Sequence, residues 1–327
     1  IIMSYLKIFF LMLCMILVSC TGQKTGKEND NNDKIAIEVG EIKFPPQDVL
    51  QLKSYYLSSS VHVDSIDYLI GYNYRLHSLD CMNLKSKSVT QIVLPGDGPD
   101  AIVRLSGIYA QSLDSVWISD ESERAFLIDS VGTIKRMIDL KKYLEDQEQL
   151  LINTNYAMFT SHLFYNASRH SLMFLVKHTP SNTFIVKEVF IDEVGKMATY
   201  QLSSSKVVPD MSKGYAYINF PNVNFVGENI VYNYPVESSI YMLDIRTNER
   251  KYILADSHYT SNIIEKCTTS GDYATLEKHW LENSHFYDIM YLPKYKIYAR
   301  LHADKVDFDE KKGMEKVNNE RDLYLIL

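Results

Sequence analysis

Short apolar runs recur in groups along this chain, and that repeat limits the fold more than any other feature. Beyond residue 60 the sequence reads as strands separated by turns. Strands are expected over 67–73, 75–80 and 88–94, then over 115–119, 124–129 and 133–138. A third unit runs from His170 to Leu202, a fourth opens at Glu228, and a fifth begins near Lys296 and reaches Leu327. Their leading strands start near 67, 115, 171, 229 and 296, about 48 to 67 residues apart. A further apolar segment precedes most units, at 103–110, 161–165, 222–226 and 285–292. Four strands per unit at this interval predict a β-propeller, in which each blade buries both faces against its neighbours. A β-sandwich gives no reason for such an interval. Two short helices are expected as insertions, over 141–152 (KKYLEDQEQLLI) and 272–283 (DYATLEKHWLEN), their Glu and Lys residues facing solvent. The expected class is therefore all-β with minor helical decoration.

The N-terminus gives an address. Lys7 precedes an apolar run from Ile8 to Val18, followed by Leu17-Val18-Ser19-Cys20. A basic start, an apolar stretch and small residues before a cut form a secretory signal. The run is too short to span a bilayer, which takes about 20 apolar residues. An aliphatic residue three positions before a Cys is a lipobox, which makes Cys20 the expected lipidated first residue of the mature chain. Multiple acyl chains make such an anchor stable. Residues 21–34 (TGQKTGKENDNNDK) hold no aliphatic or aromatic side chain and read as a polar tether. The expected organisation is a signal over 1–19, a tether over 20–34 and the propeller over 35–327. Ile1 and Ile2 lie before the expected initiator, Met3.

Loss of residues 1–19 removes Lys7 and leaves 33 basic against 41 acidic residues, a net charge of −8. That balance argues against a nucleic-acid partner. Cys81 and Cys267 remain beside Cys14 and Cys20; two separate buried thiols are favoured over a disulfide. The 24 tyrosines suit half-buried pleated surfaces.

No catalytic signature emerges. Gly96-Asp97-Gly98-Pro99 lacks the GK[ST] and following helix of a phosphate loop, so Gly96, Gly98 and Pro99 read as turn residues. Nine histidines are scattered without zinc spacing, and no G-x-S-x-G elbow occurs. Asp307 and Asp309 sit among Glu310, Lys311 and Lys312 and read as a solvated loop. No cofactor and no metal are expected.

Pro95-Gly96-Asp97-Gly98-Pro99-Asp100, followed by Asp114-Ser115-Val116-Trp117-Ile118 and Ile128-Asp129-Ser130-Val131-Gly132, resembles uncharacterised Bacteroidota lipoproteins with a TolB-like six-bladed β-propeller. The resemblance covers the chain from about residue 35 onward. It implies a fold and an address, and no activity. Against a six-bladed ring, five units imply a last blade missing or incomplete.

The expected function is that of a cell-envelope lipoprotein, anchored by lipid at the outer membrane, acting as a binding or scaffold module for a protein or glycan. The alternatives are a propeller enzyme acting on glycans and a ligand-sensing input domain. Loops 54–60 and 213–217 are the expected contributors, with Tyr55, Tyr56, Tyr215 and Tyr217 as stacking residues.

Overall fold

A computed structural model describes residues 40–46, 49–52, 54–151, 163–208, 215, 220–267, 272–309, 311–312, 317 and 320–327. The expected signal, Cys20 and the tether lie outside the described residues. Every strand among the described residues belongs to the unit Lys43–Leu327.

Five antiparallel sheets follow one another along the chain, and this is a β-propeller. The first holds β1 (Ser58–Val63), β2 (Ile66–Asn73), β3 (Ser78–Asn83) and β4 (Val89–Val93). The second holds β5 (Leu105–Ser112), β6 (Ser115–Asp120), β7 (Arg124–Ile128) and β8 (Ile134–Asp139). After β9 (Glu148–Leu150), the third holds β10 (Phe164–Asn166), β11 (Ser171–His178), β12 (Thr183–Phe190) and β13 (Met197–Gln201). The fourth holds β14 (Asn222–Val226), β15 (Asn229–Asn233), β16 (Ile240–Asp244) and β17 (Arg250–Ile253). The fifth holds β18 (His285–Leu292), β19 (Ile297–Ala303) and β20 (Leu323–Ile326). Strands adjacent in sequence pair within each sheet. β9 and β10 share one edge of β11, at its two ends.

The apolar runs are continuous because both faces of a blade are buried, so the usual period of two carries destination rather than polarity. Along β6, Val116 and Ile118 join the cluster shared with the first sheet, while Trp117 joins the cluster shared with the third. Along β11, Leu172, Phe174 and Val176 face the second sheet; Met173 and Leu175 face the fourth. The first strands of successive sheets meet each other. Ala110 N–H donates to Ser59 Oγ at 3.1 Å. Phe164 lies between Tyr109 and Phe225, with centroids 5.1 and 4.7 Å away. Asn224 Nδ2 donates to Ile289 O at 2.8 Å. Burial fades outward, and all four residues of β17 are exposed.

The Ile128–Gly132 turn has two counterparts. Asn83 and Asp244 end the third strand of their sheets and Asp129 directly follows it, and each Oδ1 accepts from backbone N–H groups two residues and three or four residues ahead. A side chain that folds back in this way fixes the turn locally. The left-handed positions that follow are filled by Lys87, Gly132 and Asn248, with φ of 60°, 86° and 58°.

Several expectations are corrected. Among the described residues there are five sheets, the number of units read from the sequence and one fewer than the resembled family's six blades, and the fifth has three strands. A strand at 58–63 precedes the first unit and carries Ser58 to Ser60 out of the expected loop. Residues 74–77 are a turn rather than the start of a strand, and His77 has φ 50°. The helix expected over 141–152 is a 3-10 turn at Leu140–Tyr143, started by Asp139 accepting from Lys141 N–H, and then strand β9. Tertiary contacts override helix propensity there: Lys187 Nζ donates to Glu148 Oε2 and Leu150 is buried. The helix expected over 272–283 forms as α1 (Tyr273–Glu282), with Asp272 as N-cap and Asn283 as C-cap. Cys81 and Cys267 are buried thiols, as expected. Among the described residues no helix is long and apolar enough to cross a membrane.

Candidate functional site

The meander sorts the connections by face. Turns between first and second strands, and between third and fourth strands, leave one end of every sheet. All are short; the longest is 191–196. The remaining connections leave the opposite end and include 94–104, 140–163, 202–221, 254–284 and 304–322. Every long connection among the described sheets therefore leaves from the same end of its sheet. Such loops cost little in a propeller's stability and are where a rigid scaffold places recognition.

An open polar cleft of about 580 Å³ lies on this face, between segment 261–267 and α1. Ser261, Ile263, Glu265, Lys266 and Cys267 line one wall, Thr275, Lys278, His279 and Glu282 the other, with Asn283, Ser284 and Lys305 at the base. His279 Nε2–H donates to Glu265 O at 2.7 Å and ties the walls together. Beneath the base, Arg321 holds three carbonyls: Asp304 O at 2.7 Å, Trp280 O at 3.2 Å and Asn283 O at 2.7 Å. A guanidinium suits these oxygens, because the end of α1 presents unpaired carbonyls and a negative dipole end. Arg321 also donates to His285 Nδ1 at 3.1 Å. Burial, reinforced by Arg321, holds the His285 imidazole well below its ordinary pKa and therefore neutral.

A second feature of the same face is aromatic. Tyr56 is 40% exposed and Tyr74 50%, with ring centroids 6.2 Å apart. The Arg104 guanidinium lies 5.4 Å over Tyr56, and its Nε–H donates to the phenol oxygen at 3.3 Å. Arg75 lies 6.0 Å over Tyr74. Leu76 and Val103 are exposed beside them in the same connections. Aromatic faces backed by guanidinium groups suit stacking with planar or sugar ligands.

Of the four expected tyrosines, Tyr56 alone among the described ones is exposed on this face. Tyr55 lies one residue away and turns inward. Its hydroxyl donates to Asp80 Oδ2 at 2.6 Å and accepts from Leu52 N–H at 3.3 Å. Gly71 makes room for its ring, since a Cβ there would collide with it. Burial and the Asp80 carboxylate raise the Tyr55 pKa far above the ordinary phenol range. Tyr215 is 4% exposed and belongs to the core between the third, fourth and fifth sheets. Tyr217 lies outside the described residues. Gly98 adopts φ 92°, and Ile102 N–H closes the loop by donating to Pro95 O at 2.8 Å. A Cβ added at Gly96 would meet His77 only in ordinary contact. No group of three or more potential metal ligands occurs among the described residues.

Sequence reasoning missed Tyr74, the cleft and the polar residues of β19. Lys278 was read as part of a solvated helix face, which omits the loop opposite. β19 carried a usable signal: Arg300 and His302 alternate within an apolar strand and so share one face. Burial and the nearby Arg300 charge push His302 down to about 4.

No family model matches the chain, and no curated protein matches it either. Among solved structures, it resembles a member of the DUF4221 family from Bacteroides vulgatus, with a TM-score of 0.66 at 13% identity over 86% of this chain and 80% of that one. It also resembles the β-propeller domain of Cps50 (Swd1) from Myceliophthora thermophila, with a TM-score of 0.41 at 9% identity over 83% and 72% of the two chains. At 13% identity the likeness to the DUF4221 member is one of fold alone.

Proposed function

We propose that this chain is a cell-envelope lipoprotein, lipidated at Cys20 and held at the outer membrane, whose propeller binds a protein or glycan ligand. The observation that carries the reading is that all long connections among the described sheets leave from the same end, with the polar cleft and the Tyr56–Tyr74 pair both there. The signal sequence and tether support the address, as does the resemblance of the Pro95–Asp100 and Asp129–Gly132 motifs to Bacteroidota lipoproteins.

The test uses the full chain against glycan arrays and cross-linked envelope fractions. Tyr56→Ala with Tyr74→Ala, and separately Lys278→Glu, are expected to reduce capture of a glycan or protein. Ser86→Glu, in a short turn of the opposite face, is expected to leave it unchanged. Capture that ignores the first variants and responds to the last would overturn the reading. Cys20→Ala is expected to move the protein out of the membrane fraction; retention there would remove the anchor.

A further inference from the structure

Six polar atoms without a hydrogen-bond partner gather between the fourth and fifth sheets: Asn233 Nδ2 and Oδ1, Glu237 Oε2, Ser239 Oγ, and Arg300 Nε and Nη1. Their four residues are at most 1% exposed. A circuit of contacts encloses them. Asn233 pairs with Asn222, whose Nδ2 donates to Phe286 O at 3.3 Å. The Phe286 ring lies 4.4 Å from the Arg300 guanidinium, and Arg300 Nη2 donates to Ser238 O at 2.8 Å. Ser239 follows, and Ile240 pairs back to Asn233. Glu237 is held from the other side by the Tyr241 hydroxyl at 2.8 Å.

A buried polar atom without a partner costs about 1–3 kcal/mol, so this many in one place call for polar partners from outside the chain, water or a ligand. The charge pattern selects its class. Arg300 commits its Nη2 to the carbonyls of Ser238 and Ala255, and the seam holds one acid, Glu237, beside this one base, so its formal charges offset one another. Its open groups include donors on Arg300 and Asn233 and acceptors on Asn233 and Glu237, and hydroxyl groups answer both. One wall is aromatic: His302 stacks on Phe286 at 4.3 Å, Tyr324 lies 6.2 Å from His302, and Tyr259 stacks on Tyr324 at 5.1 Å. Tyr259 is 76% exposed, so this wall runs from the core to solvent.

Segment 254–263 covers the site and is fastened by polar contacts. Ala255 O accepts from Arg300 at 3.0 Å, Asp256 accepts from Ser238 Oγ, Asn262 O accepts from Ser238 N–H at 3.1 Å, and Thr260 bonds His302. Leu254, Tyr259 and Ile263 turn outward. Fastenings of this kind contribute modestly each and open more readily than a packed core.

We propose that the seam binds a neutral, hydroxyl-rich ligand, a sugar unit, beneath segment 254–263, which acts as its cover. This rests on the binding-module reading and names its ligand class. The probes are the methyl glycosides of glucose, galactose, mannose and N-acetylglucosamine, observed by saturation-transfer NMR on the full chain, with hydrogen exchange following 254–263. At least one glycoside is expected to give signal and to slow exchange of the cover. Asn233→Leu and Glu237→Gln are expected to weaken it about tenfold or more. Asn233→Leu removes two orphaned atoms, so its unfolding midpoint should not fall, which separates lost binding from misfolding. Thr260→Val is expected to speed exchange of the cover while binding persists. Absence of signal from wild type and Thr260→Val alike, undiminished binding by Asn233→Leu, or a crystal soaked with glycoside showing only ordered water in the seam would overturn the proposal. If glycosides fail while Tyr56 and Lys278 variants still abolish capture of a macromolecule, the seam is excluded and the binding module stands.

Discussion

The ring of Phe164 lies flat against that of Phe225, with centroids 4.7 Å apart and planes 12° from parallel, while its other side meets the edge of Tyr109 at 5.1 Å. One side chain thereby joins the first strands of the second, third and fourth sheets. Phe164→Ala is expected to lower stability by about 3 kcal/mol, since it deletes ring contacts on two sides and leaves a gap that rigid sheets cannot close. Denaturant unfolding measures this. A loss below about 1 kcal/mol would mean the seam repacks.

Gly71 and Tyr55 make a second, sharper contact. A methyl group at residue 71 would meet the Tyr55 ring, which is itself anchored to Asp80 at 2.6 Å. Gly71→Ala should therefore destabilise by about 1–3 kcal/mol. The same change made in a Tyr55→Ala background should cost much less, because the obstacle is gone. Equal costs in the two backgrounds would show that backbone, rather than the ring, limits residue 71.

Lys187 is fully buried and its ammonium meets Glu148 and the carbonyl of Tyr143 at 2.8 Å. Lys187→Met strands the Glu148 carboxylate and is expected to cost about 3–5 kcal/mol. Lys187→Met with Glu148→Leu should recover most of that loss, since an apolar pair of similar volume carries no unpaired charge. Thermal unfolding of the two variants decides it; a double variant as weak as the single would place the cost in packing.

Acid should weaken the fold through its two buried imidazoles. Burial lowers both, His302 to about 4 and His285 well below the usual value of 6.5. Above pH 6.5 both states hold them neutral and stability is full. As pH falls from 6.5 toward 4, the unfolded chain takes up protons that the folded chain refuses, and stability declines. Replacing His302 by Gln should flatten the dependence in that window. Urea midpoints across the range measure the slope, and a slope unchanged by His302→Gln would assign the decline to other groups.

The β class and the repeat are legible in the sequence because each rests on local order. Apolar stretches such as SLMFLV in β11 and NIVYN in β15 announce strands buried on both faces. The Asp129 and Asp244 turns need nothing beyond their own next few residues. Helix α1 was legible for the same reason, with Asp272 capping its start. What the sequence alone determined is therefore the set of elements whose stability is decided within a few residues.

Only the tertiary structure decided which polar side chains share a site. Tyr55 and Tyr56 are neighbours in sequence, yet one is locked onto Asp80 and the other stands open beside Tyr74. Residues 141–150 have the composition of a helix, but Lys187, far along the chain, draws Glu148 into a strand. Arg300 meets Ser238, and Lys278 faces Lys266 across the cleft, because separate connections leave their sheets at the same end. Side-chain period fixes which face of a strand a residue takes. Which neighbour that face meets follows from the closure of long loops, whose entropy depends weakly on their length and leaves little trace in local sequence.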